Sequence, residues 1–359
     1  VTAETGYPGP RTESRREGPE PEVLTLYLLL TLAVSVCFVA YLKYEADSRG
    51  AQFVYSPLLA GAEYAPEQYR IGVVYLGHRM ALLTGLPMRI TLSLIDLTCS
   101  TGALLLVYRS LRKRMFYRNG PLALRWISSL ALAAGATYFL AWAPWYNRPT
   151  TMTIIFLTMC VASLWARTNA GGEVSRGSQI WRGAALLGCT VLLCTVRADL
   201  ALILGIAFLG VATTPRGAGL ALKRTPAMVV AAWQALVALV ALVAQWMLIH
   251  VFFPRAVYRS DTRILEILQV RINPFTIFPF ELIAIPVVWM CVAVSRRRTR
   301  LGAQDLGLFA ASLLYLPAIT LFGAPAEVRI YIPVMIALLP LMVELVAERI
   351  VLRGGATAA

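Results

Sequence analysis

The stretch MVVAAWQALVALVALVAQWMLIHVFF, residues 228–253, decides the fold class before any other part of the chain is read. It carries no Asp, Glu, Lys or Arg, and its apolar residues do not alternate with polar ones. A bilayer core of about 30 Å is crossed by about 20 apolar residues in an α-helix. The other spanning solution, a closed β-barrel, reads as alternating strands of about ten residues. This run therefore predicts a membrane-spanning helix.

Working outward, the same kind of run recurs. Of the 359 residues 58% are hydrophobic and 14% charged, with a mean hydropathy of +0.67. A soluble domain carries about 25% charged residues, so most of this chain has no water to face. Ten spans are expected, at about residues 23–41, 89–107, 122–143, 151–165, 183–196, 200–213, 228–253, 276–294, 306–323 and 330–346. The fifth and sixth are short and meet at Arg197-Ala198-Asp199, which reads as a break between two tilted or broken helices. Residues 71–87 are apolar but interrupted by His78 and Arg79, and are expected to form an interfacial or re-entrant helix.

The expectation is an all-α, polytopic membrane protein. Residues 1–22 form a disordered cytoplasmic tail, 23–349 the transmembrane domain with outer loops at about 42–87 and 254–275, and 350–359 a second tail. The first run is too long for a signal-peptide core and is expected to stay as an anchor. Of the 33 Lys and Arg, 20 fall on one side if both termini are cytoplasmic, as the positive-inside rule requires. The plasma (inner) membrane is the expected location and membrane lipid the expected surroundings.

The net charge of +14 sits in clusters between apolar runs, which argues against nucleic acid as a partner. The cysteines (Cys37, Cys99, Cys160, Cys189, Cys194, Cys291) lie within apolar runs without paired metal-ligand spacing, and read as packing residues. No Gly-x-Ser-x-Gly or His-Glu-x-x-His occurs, and His78 and His250 are the sole histidines. A His-based metal site is nearly excluded on that ground; a carboxylate-held Mg²⁺ or Mn²⁺ stays compatible with the residues.

Ionisable residues at membrane depth are costly and are functional hypotheses by default. Asp96 sits within the second run and reads as a helix–helix hydrogen-bonding residue. Glu45, Asp47, Glu63, Glu67, Arg70, His78, Arg79, Arg197, Asp199, Glu281, Glu327 and Arg329 fall near the outer ends of their helices, while Glu344 belongs with the inner boundary. Arginines suit phosphate oxygens, and a partly desolvated carboxylate suits a general base. Structural ion pairs remain an equal reading of Arg197/Asp199 and Glu327/Arg329.

Three stretches carry a resemblance: Tyr44-Glu45-Ala46-Asp47 leading into a long loop to Arg70 and Pro87, Arg197-Ala198-Asp199-Leu200, and Glu327-Val328-Arg329-Ile330-Tyr331-Ile332-Pro333. In these the chain resembles a small member of the GT-C class of membrane glycosyltransferases. The resemblance implies a sugar transferred from a polyprenyl-phosphate donor on the extracytoplasmic side, with Asp47 or Glu45 as catalytic base. It implies that Arg197 and Arg329 hold the phosphate, with Arg70, Arg79, Asp199, Glu327 and Tyr331 around them and Arg259 and Arg263 in the second outer loop. The chain departs from the class in having Glu-Ala-Asp where an adjacent acidic pair is common. A transporter or flippase for a lipid or anionic solute, and a non-catalytic subunit of a membrane assembly, are the competing expectations.

Overall fold

The computed structural model describes residues 21–48, 59, 72–141, 150–169, 176–214, 224–247, 251, 274–295, 301–322 and 331–356. Side chains are described for these except 43, 45–48, 150, 169, 176, 224–226, 274–284, 319–322 and 350–356. The described residues are helical and contain no strand. In chain order the helices are α1 (Pro21–Ser48), α2 (Gly72–Thr84), α3 (Met88–Arg112), α4 (Met115–Asn119), α5 (Leu122–Ala141), α6 (Thr150–Asn169), α7 (Arg176–Thr213), α8 (Arg224–Met247), α9 (Pro274–Ser295), α10 (Ala303–Phe322) and α11 (Ile332–Ala356).

Six of the described helices are long and apolar enough to cross a membrane: α1, α3, α5, α6, α7 and α8. The protein is thus a multi-pass helical membrane protein by length and composition. The last three expected spans coincide with α9, α10 and α11. Boundaries differ from expectation at both ends of the chain: α1 starts at Pro21, inside the expected N-terminal tail, and continues to Ser48, into the expected first outer loop, while α11 runs to Ala356, into the expected C-terminal tail.

The centre of the molecule is α11. From Tyr331 to Val343 every described residue is buried, on all sides of the helix. A helix apolar all round must be enclosed by other helices or by lipid; here α3, α5, α6, α9 and α10 enclose it. Leu339 fits against Gly135 of α5, where no side chain intervenes. By contrast α1 and α8 are peripheral. Only 22% of the apolar window of α8 is buried, and Trp233, Leu239, Val240, Val243 and Trp246 point outward, the pattern of a lipid-facing helix.

Helix α7 has 38 residues, about 57 Å if straight, nearly twice a bilayer core. It is not straight. Arg197 has φ −156° and ψ 78°, outside helical geometry. The Trp165 ring of α6 stacks on Phe208 with centroids 4.4 Å apart. Two residues on, the Arg167 carbonyl accepts a hydrogen bond from Arg182 Nη1 at 3.0 Å. Residues 182 and 208 would lie about 39 Å apart along one helix, so the chain folds back at Arg197. We call its limbs α7a and α7b. The break that Arg197-Ala198-Asp199 suggested is present.

Helix α2 has 13 residues, about 20 Å, too short to cross the bilayer core. Gly85, with φ 71°, ends it, and its amide donates to the Ala81 carbonyl at 2.9 Å; glycine takes this left-handed conformation without a Cβ penalty. Pro87 then precedes α3, and α2 lies back along the start of α3. There Thr91 Oγ1 donates to the Gly77 carbonyl at 2.8 Å.

Candidate functional site

The polar groups of the bundle gather at its two ends. One end, here called the basic end, holds Arg114, Arg125, Arg167 and Arg182; the opposite end holds Tyr44, Arg197 and Tyr331.

At the opposite end, beside the fold-back of α7, Gln245 Nε2 of α8 donates to the Cys194 carbonyl at 3.2 Å. The Arg197 side chain is 8% exposed. Its Nε donates to both carboxylate oxygens of Asp199, at 3.0 and 3.1 Å, and its guanidinium lies 5.9 Å from the centre of the Tyr315 ring on α10. Asp199 is 45% exposed. The site is therefore a buried cation reaching outward through a half-exposed carboxylate, with the start of α2 packed at Thr195 beside it.

The expected site residues distribute as follows. Arg197 and Asp199 are brought together. Tyr331 is fully buried at the start of α11. Arg79 is exposed on α2. Glu45 and Asp47 lie in the last turns of α1, but their side chains are outside the described residues, as is that of Glu281. Arg70, Arg259, Arg263, Glu327 and Arg329 lie wholly outside the described residues.

A second polar pair lies at this end. Asp96 is 1% exposed, and Tyr44 Oη donates to its Oδ2 at 2.7 Å, joining α1 to α3. Its Oδ1 is buried with no hydrogen-bond partner. The expectation that Asp96 serves helix–helix bonding is consistent with this contact.

The basic end holds a cluster that reading the sequence missed. Arg114, between α3 and α4, donates to both oxygens of Asp305 at the start of α10, at 2.5 and 2.6 Å, and to Glu344 of α11 at 2.6 Å. Burial pulls the Arg114 pKa down, but the field and hydrogen bonds of Asp305, then those of Glu344, more than offset it and hold it above its usual value. Glu344, read as an inner-boundary residue, is thus part of an inter-helix clamp. Arg125 pairs with Glu22, tying α5 to the start of α1. Among the described residues no three of His, Cys, Asp and Glu come together as a metal site, and the cysteines, read as packing residues, are free thiols.

No protein-family model matches this chain, and neither the curated proteins nor the solved structures compared with it contain a match.

Proposed function

We propose that this multi-pass protein is a membrane glycosyltransferase that takes a sugar from a polyprenyl-phosphate donor at the Arg197 end of the bundle, on the extracytoplasmic side of the plasma membrane. The observation that carries the reading is Arg197 itself: a buried guanidinium at a helix fold-back, bonded within its own helix and opening through a half-exposed Asp199. A lipid-phosphate donor presents its headgroup near this level of the bilayer, and a fixed cation there stabilises the departing phosphate. Asp47 or Glu45 would act as base toward the acceptor hydroxyl. The weight of basic residues at the other end favours a cytoplasmic placement for it.

The test is donor turnover by the purified full-length chain in liposomes, using a radiolabelled polyprenyl-phosphate sugar. Wild type is expected to release the sugar to an acceptor. R197Q is expected to lose about 100-fold in rate, the scale for removing one transition-state donor, with its folding unchanged. A wild-type chain that moves the donor across the bilayer without cleaving it would establish the transporter reading instead. That reading has its own support in Asp96, whose buried Oδ1 is unpartnered at membrane depth.

A further inference from the structure

Arg114 and Lys113 are adjacent in the chain, yet their charges meet opposite fates. Arg114 is matched by two carboxylates. Among the described residues Lys113 has no ion pair or hydrogen bond to its side chain, and the same is true of Arg109 one turn before it on α3. Across from them runs α6, parallel to α3: Cys99 meets Thr153, and Gly102 meets Phe156. Both contacts are offset by 54 positions, and the same offset carried down the pair sets Lys113 against Arg167. Arg167 lies in the last turn of α6, and its carbonyl is held by the guanidinium of Arg182 on α7a. Arg109, Lys113, Arg167 and Arg182 thus converge at the basic end from three helices. Among the described residues none of the four has a carboxylate partner.

Like charges brought together by packing cost energy unless an anion joins them. That cost registers on Lys113, whose pKa is lowered by burial first and by Arg167 and Arg109 next. The neighbourhood suits one kind of anion in particular. On the first turns of α7a, next to Arg182, Ile180 is 64% and Trp181 77% exposed, an apolar and aromatic surface of the sort found at headgroup level. Basic pockets between helices at the cytoplasmic boundary are recognised sites for phosphate-bearing lipid headgroups.

We propose that Arg109, Lys113, Arg167 and Arg182 form a binding site for a phosphate group, that of an anionic lipid headgroup lodged between the ends of α3, α6 and α7a. The site is separate from the Arg197 end and does not depend on the function proposed there.

The test is native mass spectrometry of the full-length chain in detergent, titrated with phosphatidylglycerol, phosphatidylcholine or inorganic phosphate. Wild type is expected to retain phosphatidylglycerol under conditions that strip phosphatidylcholine. Near a membrane surface each basic residue contributes about 1 kcal/mol, so K113Q and R167Q should each weaken retention about 5-fold and the double variant about 30-fold. R118Q, which removes an exposed cation outside the cluster, should leave retention unchanged. Equal melting temperatures in lipid-free detergent separate lost binding from lost folding. If inorganic phosphate displaces the lipid, the site takes free phosphate as well and the phosphate assignment stands. If it cannot, the lipid is the ligand. Equal phosphatidylglycerol retention in wild type, K113Q/R167Q and R118Q overturns the site.

Discussion

Arg114 and Arg197 are both nearly buried and both hold carboxylates, but they hold them differently. The partners of Arg114 lie 191 and 230 residues away in the chain, on α10 and α11. The carboxylate that Arg197 holds, Asp199, lies two residues along its own helix. An ion pair between distant elements fixes how helices sit against one another. One confined to a single helix end cannot do so, whatever its strength. The basic end is therefore built to hold the bundle together, while the opposite end keeps a buried cation in place without tying it to a second helix by that pair. This difference is why function is assigned to the Arg197 end.

The comparison breaks first, and by the largest margin, at Arg114. R114M leaves Asp305 and Glu344 buried without their cation, and breaking such a pair from one side costs about 3–5 kcal/mol. Thermal unfolding in detergent should show a large loss of stability, and a variant that melts like wild type would remove the clamp. Replacing all three charged groups by apolar ones should recover much of that loss, since a fully apolar replacement of a buried ion cluster is often neutral or stabilising.

Arg197 should show the reverse split. R197Q is expected to melt closer to wild type than R114M does, because Asp199, unlike Asp305 and Glu344, is exposed enough to be solvated when its cation is lost. Its donor turnover should nonetheless fall about 100-fold. A variant that unfolds as badly as R114M would show that Arg197 is structural and that the two ends do not differ in kind.

That the chain is built of apolar, membrane-crossing helices was legible in the sequence, because membrane spans announce themselves by composition alone. The fold-back was legible too, since Arg197-Ala198-Asp199 interrupts an apolar run at a depth where charges are expensive. The central place of α11 was not. A run apolar on every side reads the same whether lipid or other helices surround it, and it is burial on all faces from Tyr331 to Val343 that separates the cases. The Arg114 clamp was likewise hidden. Arg114 sits in a basic cluster that the positive-inside rule already explains, and no periodicity links a residue to partners some 200 positions later. Its signal was faint: Asp305 and Glu344 are acids at a boundary rich in arginine and lysine. As for the candidate site, the sequence placed Arg197 with Asp199 but gave no hint of Tyr315, which meets them only through packing of α10 on α7.

A smaller effect tests the fold-back that separates the two ends. The limb α7b packs closely on α8 at Gly205, where an added side chain would come within 2.8 Å of the Ala235 backbone nitrogen. That neighbour is backbone and cannot swing aside. G205L should therefore cost about 1–3 kcal/mol through overpacking, whereas G183L, at a glycine with open space around it, should melt within error of wild type.

The smallest effect falls on the Tyr44–Asp96 pair, and there the size of the change decides what the pair is for. Hydrogen bonds between membrane helices average about 0.6 kcal/mol and reach about 1.7 kcal/mol. If this one only joins α1 to α3, Y44F should cost an amount in that range, D96N should cost little because the amide oxygen still accepts from Tyr44, and donor turnover should be intact in both. If Asp96 instead carries a proton or cation along a transport path, as its unpartnered Oδ1 would allow, D96N should keep its melting temperature and lose function altogether. An amide preserves the hydrogen bond but cannot ionise, so the D96N variant alone separates helix packing from ion coupling.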